Sequence, residues 1–199
     1  MKFLMILCAV LMLGGCNMTK GDMPLPSEMP KIDPSAIPSI IPSMMPEATE
    51  SPVALGEFVT EILDATPDRV ENIRLCTKTL NGKIIDSGAE FSFNAAVGER
   101  TREKGYKEAA MLVDGKRVQA VGGGLCQVSS TIFNAADKAG MEILERHDHT
   151  GEVHYVEIGR DAAVSFGEQD FRFKNTKPFP VRLAVSVENG QVHAALYKA

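Results

Sequence analysis

A surplus of positive charge is missing from this chain. Its 21 Lys and Arg face 26 Asp and Glu, a formal net charge of −5, so no electrostatic footprint points to a nucleic-acid partner. No apolar run is long enough for a bilayer either. The best one, Phe3 to Leu13, stops well short of the roughly 20 residues that a lasting transmembrane helix needs. Cysteine is scarce, at four in 199 residues, which excludes a disulfide-built scaffold. Close-spaced Cys pairs and a helical His-Glu-x-x-His are absent as well, so the strong zinc signatures are lacking. There is no internal repeat.

What is present is unevenly spread. Eight of the ten methionines and eight of the eleven prolines precede residue 54, whereas 14 of the 17 glycines follow it. Residues 1–15 read as a signal peptide: one Lys, a short apolar run, then Leu13-Gly14-Gly15 before Cys16. That junction resembles a bacterial lipobox, which makes Cys16 the expected lipidation site and the membrane a partner through that lipid. An ordinary secretory signal is the alternative. Either one places the protein outside the cytoplasmic membrane.

Residues 16–54 form a Pro- and Met-rich tether. Prolines two to four apart from Pro24 to Pro46 forbid a regular helix, because each lacks an N–H and biases its predecessor to extended angles. The expectation is a semi-stiff spacer that reaches up to about 100 Å.

Residues 55–199 are the part that needs a fold, with 18 basic and 21 acidic side chains. Two helices are predicted first, Gly56–Ala65 and one opening at Pro67, with Val70, Ile73, Cys76 and Leu80 on one face and Asn81-Gly82 as its end. Asp114-Gly115 and Asn189-Gly190 each mark a hairpin. Leu125 to Ala139 reads as a helix closed by Gly140. Strands are predicted at Lys83–Ile85, Glu90–Phe93, Met141–Arg146, Ala162–Phe166, Asp170–Lys174, Val181–Val187 and Val192–Tyr197. The fold class is α+β: a mainly antiparallel sheet with one central helix and a helical N-terminal portion.

The stretch Gly122-Gly123-Gly124-Leu125-Cys126-Gln127 carries the chemistry. Three consecutive glycines are costly in entropy and are tolerated where the backbone needs positive φ or close approach. They lead into a helix whose first turn holds Cys126, where unpaired N–H groups and the positive helix end favour a thiolate and could also hold an oxyanion. A cysteine nucleophile needs a base and a group that orients it, and His147, His149 and Asp161 are the candidates. Three other readings stay open: a buried apolar Cys126, a zinc site from Cys126, His147 and His149, and a Cys76–Cys126 disulfide. Cys76, on the apolar face of its helix, fits a buried free thiol better.

Several of these residues carry a family resemblance. Gly88-Ala89-Glu90-Phe91-Ser92-Phe93-Asn94, Val97-Gly98, Arg100-Thr101 and Gly105-Tyr106 resemble the opening of a VanW-like domain. So do the run Gly122 to Thr131, Asn134-Ala135, His147-Asp148-His149, Tyr155 and Gly159-Arg160-Asp161-Ala162. Thr150 stands where the family has Ser after the His, and it keeps the hydroxyl.

The resemblance implies L,D-transpeptidation of peptidoglycan stem peptides by a cysteine thioester, with Cys126 as nucleophile, His149 or His147 as base, and Asp161 orienting a His or binding the incoming ammonium. No cofactor and no metal are expected. Gly123, Gly124 and Gln127 would face the substrate, and Arg160 would bind a stem carboxylate. With water as acceptor the same site would be an L,D-carboxypeptidase. A non-catalytic peptidoglycan- or glycopeptide-binding lipoprotein is the alternative from another class.

Overall fold

The computed structural model describes residues 53–113 and 115–199. The signal peptide, Cys16 and almost all of the tether lie outside the described residues, as does Asp114. Among the described residues no helix is long and apolar enough to cross a membrane.

The chain order is β1 (Gly56–Glu61), α1 (Pro67–Leu80), β2 (Ile84–Ile85), β3 (Glu90–Ser92), α2 (Phe93–Val97), β4 (Glu108–Val113), β5 (Lys116–Val121), α3 (Leu125–Lys138), β6 (Glu142–Glu145), β7 (Arg172–Lys174), β8 (Val181–Glu188) and β9 (Gln191–Lys198). All pairings are antiparallel. The strands form three sheets, β1-β9-β8-β2, β3-β7-β6 and the β4-β5 hairpin. The class is α+β, with the antiparallel structure divided among these sheets.

Local chemistry accounts for most of these elements. Pro67 opens α1 at a position where its missing N–H costs nothing, and Gly82 follows its end at φ +82°. Asn189 and Gly190, at φ +51° and +76°, form the turn of the β8-β9 hairpin with the twist that the flanking strands need. Along β8 the buried residues are Val181, Leu183 and Val185, and along β9 they include Val192, Ala194 and Leu196. Period-two burial of this kind gives the sheet one face for α1 and α3. Phe91, Phe171 and Phe173, with centroid separations from 4.9 to 6.4 Å, fix the second sheet, and Phe133 of α3 meets Phe171 edge-on at 5.9 Å.

Two sequence expectations are corrected. The first predicted helix is strand β1, so the N-terminal portion is a strand followed by one helix. Gly56 and Thr60 are buried while Glu57, Val59 and Glu61 are exposed, and β1 pairs with β9 along its whole length. The Glu57/Glu61 spacing mimics a helical face, but in so short a run an alternating pattern reads equally well as strand.

Ala162–Phe166 joins no strand beyond the single bridge Ser165–Gln169. Its backbone is held elsewhere: Ala162 N donates to Ser130 Oγ at 2.8 Å, Ser129 Oγ donates to Ala162 O at 2.6 Å, and Ala163 N donates to His147 O at 2.8 Å.

The triglycine turn between β5 and α3 is where close approach decides the backbone. Gly122 and Gly124 have φ of +86° and +108°, a region that side chains disfavour. Gly123 serves a different need, since a Cβ there would lie 2.4 Å from Ala109 O and 2.6 Å from its carbonyl carbon. Gly123→Ala is therefore expected to cost about 1–3 kcal/mol through forced backbone displacement, read as a fall in the thermal midpoint. An unchanged midpoint would contradict this packing.

Candidate active site

The turn sets Cys126 in the first turn of α3, whose N-cap is Gly124. Buried Asn72 of α1 holds the turn in place. Its Nδ2 donates to Gly123 O at 3.0 Å and to Lys107 O at 2.9 Å, while its Oδ1 accepts from Lys107 N at 2.8 Å. The N–H groups of Gly122, Gly123, Leu125 and Gln127 are taken by the carbonyls of Lys107, Ala120, Gly122 and Gly124. The Cys126 N–H makes no backbone hydrogen bond of this kind among the described residues. It is therefore open to an acceptor beside the thiol.

His149 and Asp161 complete the arrangement. The His149 ring, 6% exposed, shares a hydrogen bond of 2.6 Å between Nδ1 and Asp161 Oδ2, and its backbone N donates to the same oxygen at 2.7 Å. Nδ1 is thereby committed to Asp161, which leaves Nε2 free, and His149 and Cys126 line the same two cavities. The thiol also lies 3.6 Å from Val164 O. Arg146 holds the Asp161 backbone, since its Nη1 donates to the Asp161 main-chain O at 2.5 Å; it lies 3.9 Å from the carboxylate Oδ1 and pairs with Asp148 at 2.6 Å.

The electrostatics follow from this geometry. Burial alone would push the Cys126 thiol up, but the His149 ring and the Arg100 guanidinium outweigh it and hold the thiol below its ordinary range. Burial would lower His149, yet Cys126 and Asp161 raise it. Asp161 is likewise brought below the usual carboxylate range, because the His149 backbone N–H and ring outweigh its burial. The opposed shifts of Cys126 and His149 favour a thiolate–imidazolium pair.

The other sequence candidates are placed differently. His147 does not converge with Cys126. Its Nε2 pairs with Glu145 at 3.0 Å, and it lines neither cavity at the thiol. The predicted strand that would have put both His on one face ends at Glu145. Gln127 is buried and spends its Nε2 on Thr60 Oγ1 at 3.1 Å and Glu61 O at 2.7 Å, so it fastens β1 to α3. Arg160 lies away from the thiol, with Nε on Asn134 Oδ1 at 2.7 Å and Nη2 on Asp137 at 2.8 Å. Gly123 and Gly124 shape the turn, and Gly124 and Gln127 also line one of the cavities that holds Cys126 and His149. Cys76 and Cys126 are both free thiols. Cys76 is wholly buried, and burial pushes it far up, out of reach of chemistry.

Two cavities meet at Cys126 and His149. One, of about 290 Å³, is walled by Leu63, Arg69, Val153 and Tyr155. The other, of about 450 Å³, is walled by Arg100, Gly122, Val164 and Phe166. Met111 and Leu112 of the β4-β5 hairpin line both. Sequence reasoning assigned no role to Arg69, Arg100 or Tyr155. Arg100 and Tyr155 belong to the residues that carry the family resemblance, which was their only signal. Arg69 gave none, and it is drawn in by bonds from Nη1 to Ala110 O at 2.9 Å and from Nη2 to Gln127 Oε1 at 3.3 Å.

The thiolate–imidazolium pair has a measurable pH signature. Iodoacetamide should alkylate Cys126 at a pH below the roughly 8.5 of an ordinary thiol. Asp161→Asn removes the charge that favours imidazolium. It lowers His149, raises Cys126, and should slow alkylation at pH 6.5 about tenfold for each unit of thiol shift. A pH–rate profile identical in the two proteins would contradict the triad.

The family described as VanW like protein matches residues 68–197. A Bacillus subtilis protein known as uncharacterized protein YoaR is 44% identical over 145 residues, covering 73% of this chain and 48% of its own length. The vancomycin B-type resistance protein VanW of Enterococcus faecalis is 32% identical over 145 residues, covering 66% of this chain and 53% of its own length. The chain thus spans about half the length of these relatives. No solved structure matches it. The chain belongs to the VanW-like family.

Proposed function

We propose that this protein is a cysteine L,D-transpeptidase acting on peptidoglycan stem peptides. The observation that carries the reading is the grouping of Cys126, His149 and Asp161 at the junction of two cavities. Transpeptidation needs such a junction, because a donor and an acceptor must reach one thiol from different sides. The relative named as a vancomycin resistance protein supports a cell-wall setting.

The Cys126 thiolate attacks the carbonyl of the third stem residue, and the Cys126 N–H holds the oxyanion. Collapse of the tetrahedral adduct breaks the bond to the terminal D-alanine. Its amine leaves with the proton of the His149 imidazolium, and a thioester remains on Cys126. His149, now neutral, accepts a proton from the amine of a neighbouring stem as that amine attacks the thioester. The thiolate is released, and two third-position residues are joined. Asp161 keeps the ring in one tautomer throughout. Water in place of the amine would give carboxypeptidase chemistry at the same atoms.

Cys126→Ala should abolish cross-linked dimers from purified tetrapeptide stems, and His149→Ala should lower their rate by about 10²–10⁴-fold. His147→Ala and Cys76→Ala should remain near the parent rate, and mass spectrometry should find the acyl group on Cys126. Full activity in Cys126→Ala would sink the reading. Tight stem binding with no turnover in the parent protein would favour a binding module.

The proposed setting is the outer face of the membrane, with a lipid on Cys16 as anchor. Cys16→Ser should move the protein from the membrane fraction to the soluble exported fraction. Retention in the membrane would refute that anchor.

A further inference from the structure

Arg100 has no part in the triad, yet its placement is unusual. A methyl group on Gly122 would lie 3.0 Å from Arg100 Cβ and 3.1 Å from its Cγ, so the glycine makes room for this side chain. The guanidinium carbon lies 5.5 Å from the Phe93 ring centroid and 5.9 Å from that of Phe166. Both Nη nitrogens are buried without a hydrogen-bond partner among the described residues. A buried charge normally has a partner, and donors left unmet cost stability that an arriving acceptor restores.

The nearby carboxylates are engaged elsewhere. Asp148 pairs with Arg146 at 2.6 Å, and Glu168 accepts from Ser165 Oγ at 3.1 Å. Asp170 is near enough to act on the Arg100 charge, but its oxygens accept from Ser92 Oγ and from the N–H groups of Asn94 and Phe171. Glu99 is exposed at the cavity rim. Arg100 shares its cavity with Cys126 and His149. Phe166, 50% exposed, lies within the turn bridged by Ser165 and Gln169 and faces the guanidinium from the solvent side.

A guanidinium fork matches a carboxylate with two parallel hydrogen bonds. We infer that Arg100 is the receptor for the α-carboxylate of the residue that leaves as an amine, admitted when the Phe166 ring turns aside. The inference rests on the transpeptidase reading for the identity of that residue. The anion site itself rests on the cavity and its unpartnered guanidinium. It takes the role that the sequence had suggested for Arg160, whose guanidinium is spent on Asn134 and Asp137.

The test compares alkylation of Cys126 by iodoacetate and by iodoacetamide at one pH. Both consume the same thiolate, so their rate ratio cancels any change in thiol pKa. In the parent protein the ratio should exceed that of N-acetylcysteine by about tenfold or more. Arg100→Met should bring it down to the N-acetylcysteine value, and Arg100→Gln gives the same readout should the Met variant not fold. A parent ratio equal to that of N-acetylcysteine, or one unmoved by either variant, overturns the inference.

In a second arm, Arg100→Met should raise KM about tenfold for a tetrapeptide ending in a carboxylate and leave that for its C-terminal carboxamide unchanged. Cross-linking indifferent to Arg100 would defeat the inference and spare the transpeptidase reading. An Arg100-dependent alkylation ratio without any cross-linking would do the reverse.

Discussion

The contact on which the rest of the site depends is the seating of the Gly123 backbone against the Ala109 carbonyl. No side chain fits between them, since even a Cβ would come within 2.4 Å of that oxygen. The approach lets β5 turn directly into α3, and Asn72 bridges the turn to the residue before β4. One buried amide thus ties α1, the hairpin and the helix start together. The position of the Cys126 thiol follows from this seating, because it lies in the first turn beyond it. Its unpaired N–H and the field of the helix end come with the same geometry.

The other half of the triad comes from irregular chain, and α3 places that as well. Ser129 and Ser130 hold both backbone groups of Ala162, and Asn134 Nδ2 donates to Arg160 O at 2.7 Å. Asp161 lies between these anchor points, and its carboxylate then fixes His149 by ring and backbone. The helix that carries Cys126 therefore also positions the carboxylate that holds His149. Irregular segments need such side-chain bonds where sheet pairing does not satisfy their polar groups.

What the sequence could reveal divides along the same physical line. The glycine turn, α1, α3 and the hairpins at Asp114-Gly115 and Asn189-Gly190 were legible because each depends on local residue chemistry: positive φ, a missing N–H, an apolar stripe. Strand β1 was not, since its identity comes from β9, far along the chain. Ala162–Phe166 has strand composition but lost its pairing to the hydroxyls of α3. The candidate site was legible in Cys126, His149 and Asp161. Choosing between His147 and His149 required knowing that the strand stops at Glu145. Arg100 and Arg69 act through tertiary placement alone, which no local pattern encodes.

Those two arginines also reconcile the acidic chain with a thiol held below its ordinary range. A net charge of −5 opposes a thiolate, but a charged sulfur in a partly desolvated site feels nearby charges more strongly than distant ones. Arg69 and Arg100 each couple electrostatically to Cys126, from different cavities. His149, whose raised pKa favours its charged form, adds to their effect on the sulfur. Apart from buried Asp161, most acidic side chains among the described residues are exposed, where water and salt screen them. Charge placed around Cys126, rather than the balance of the whole chain, therefore sets the acidity of this thiol.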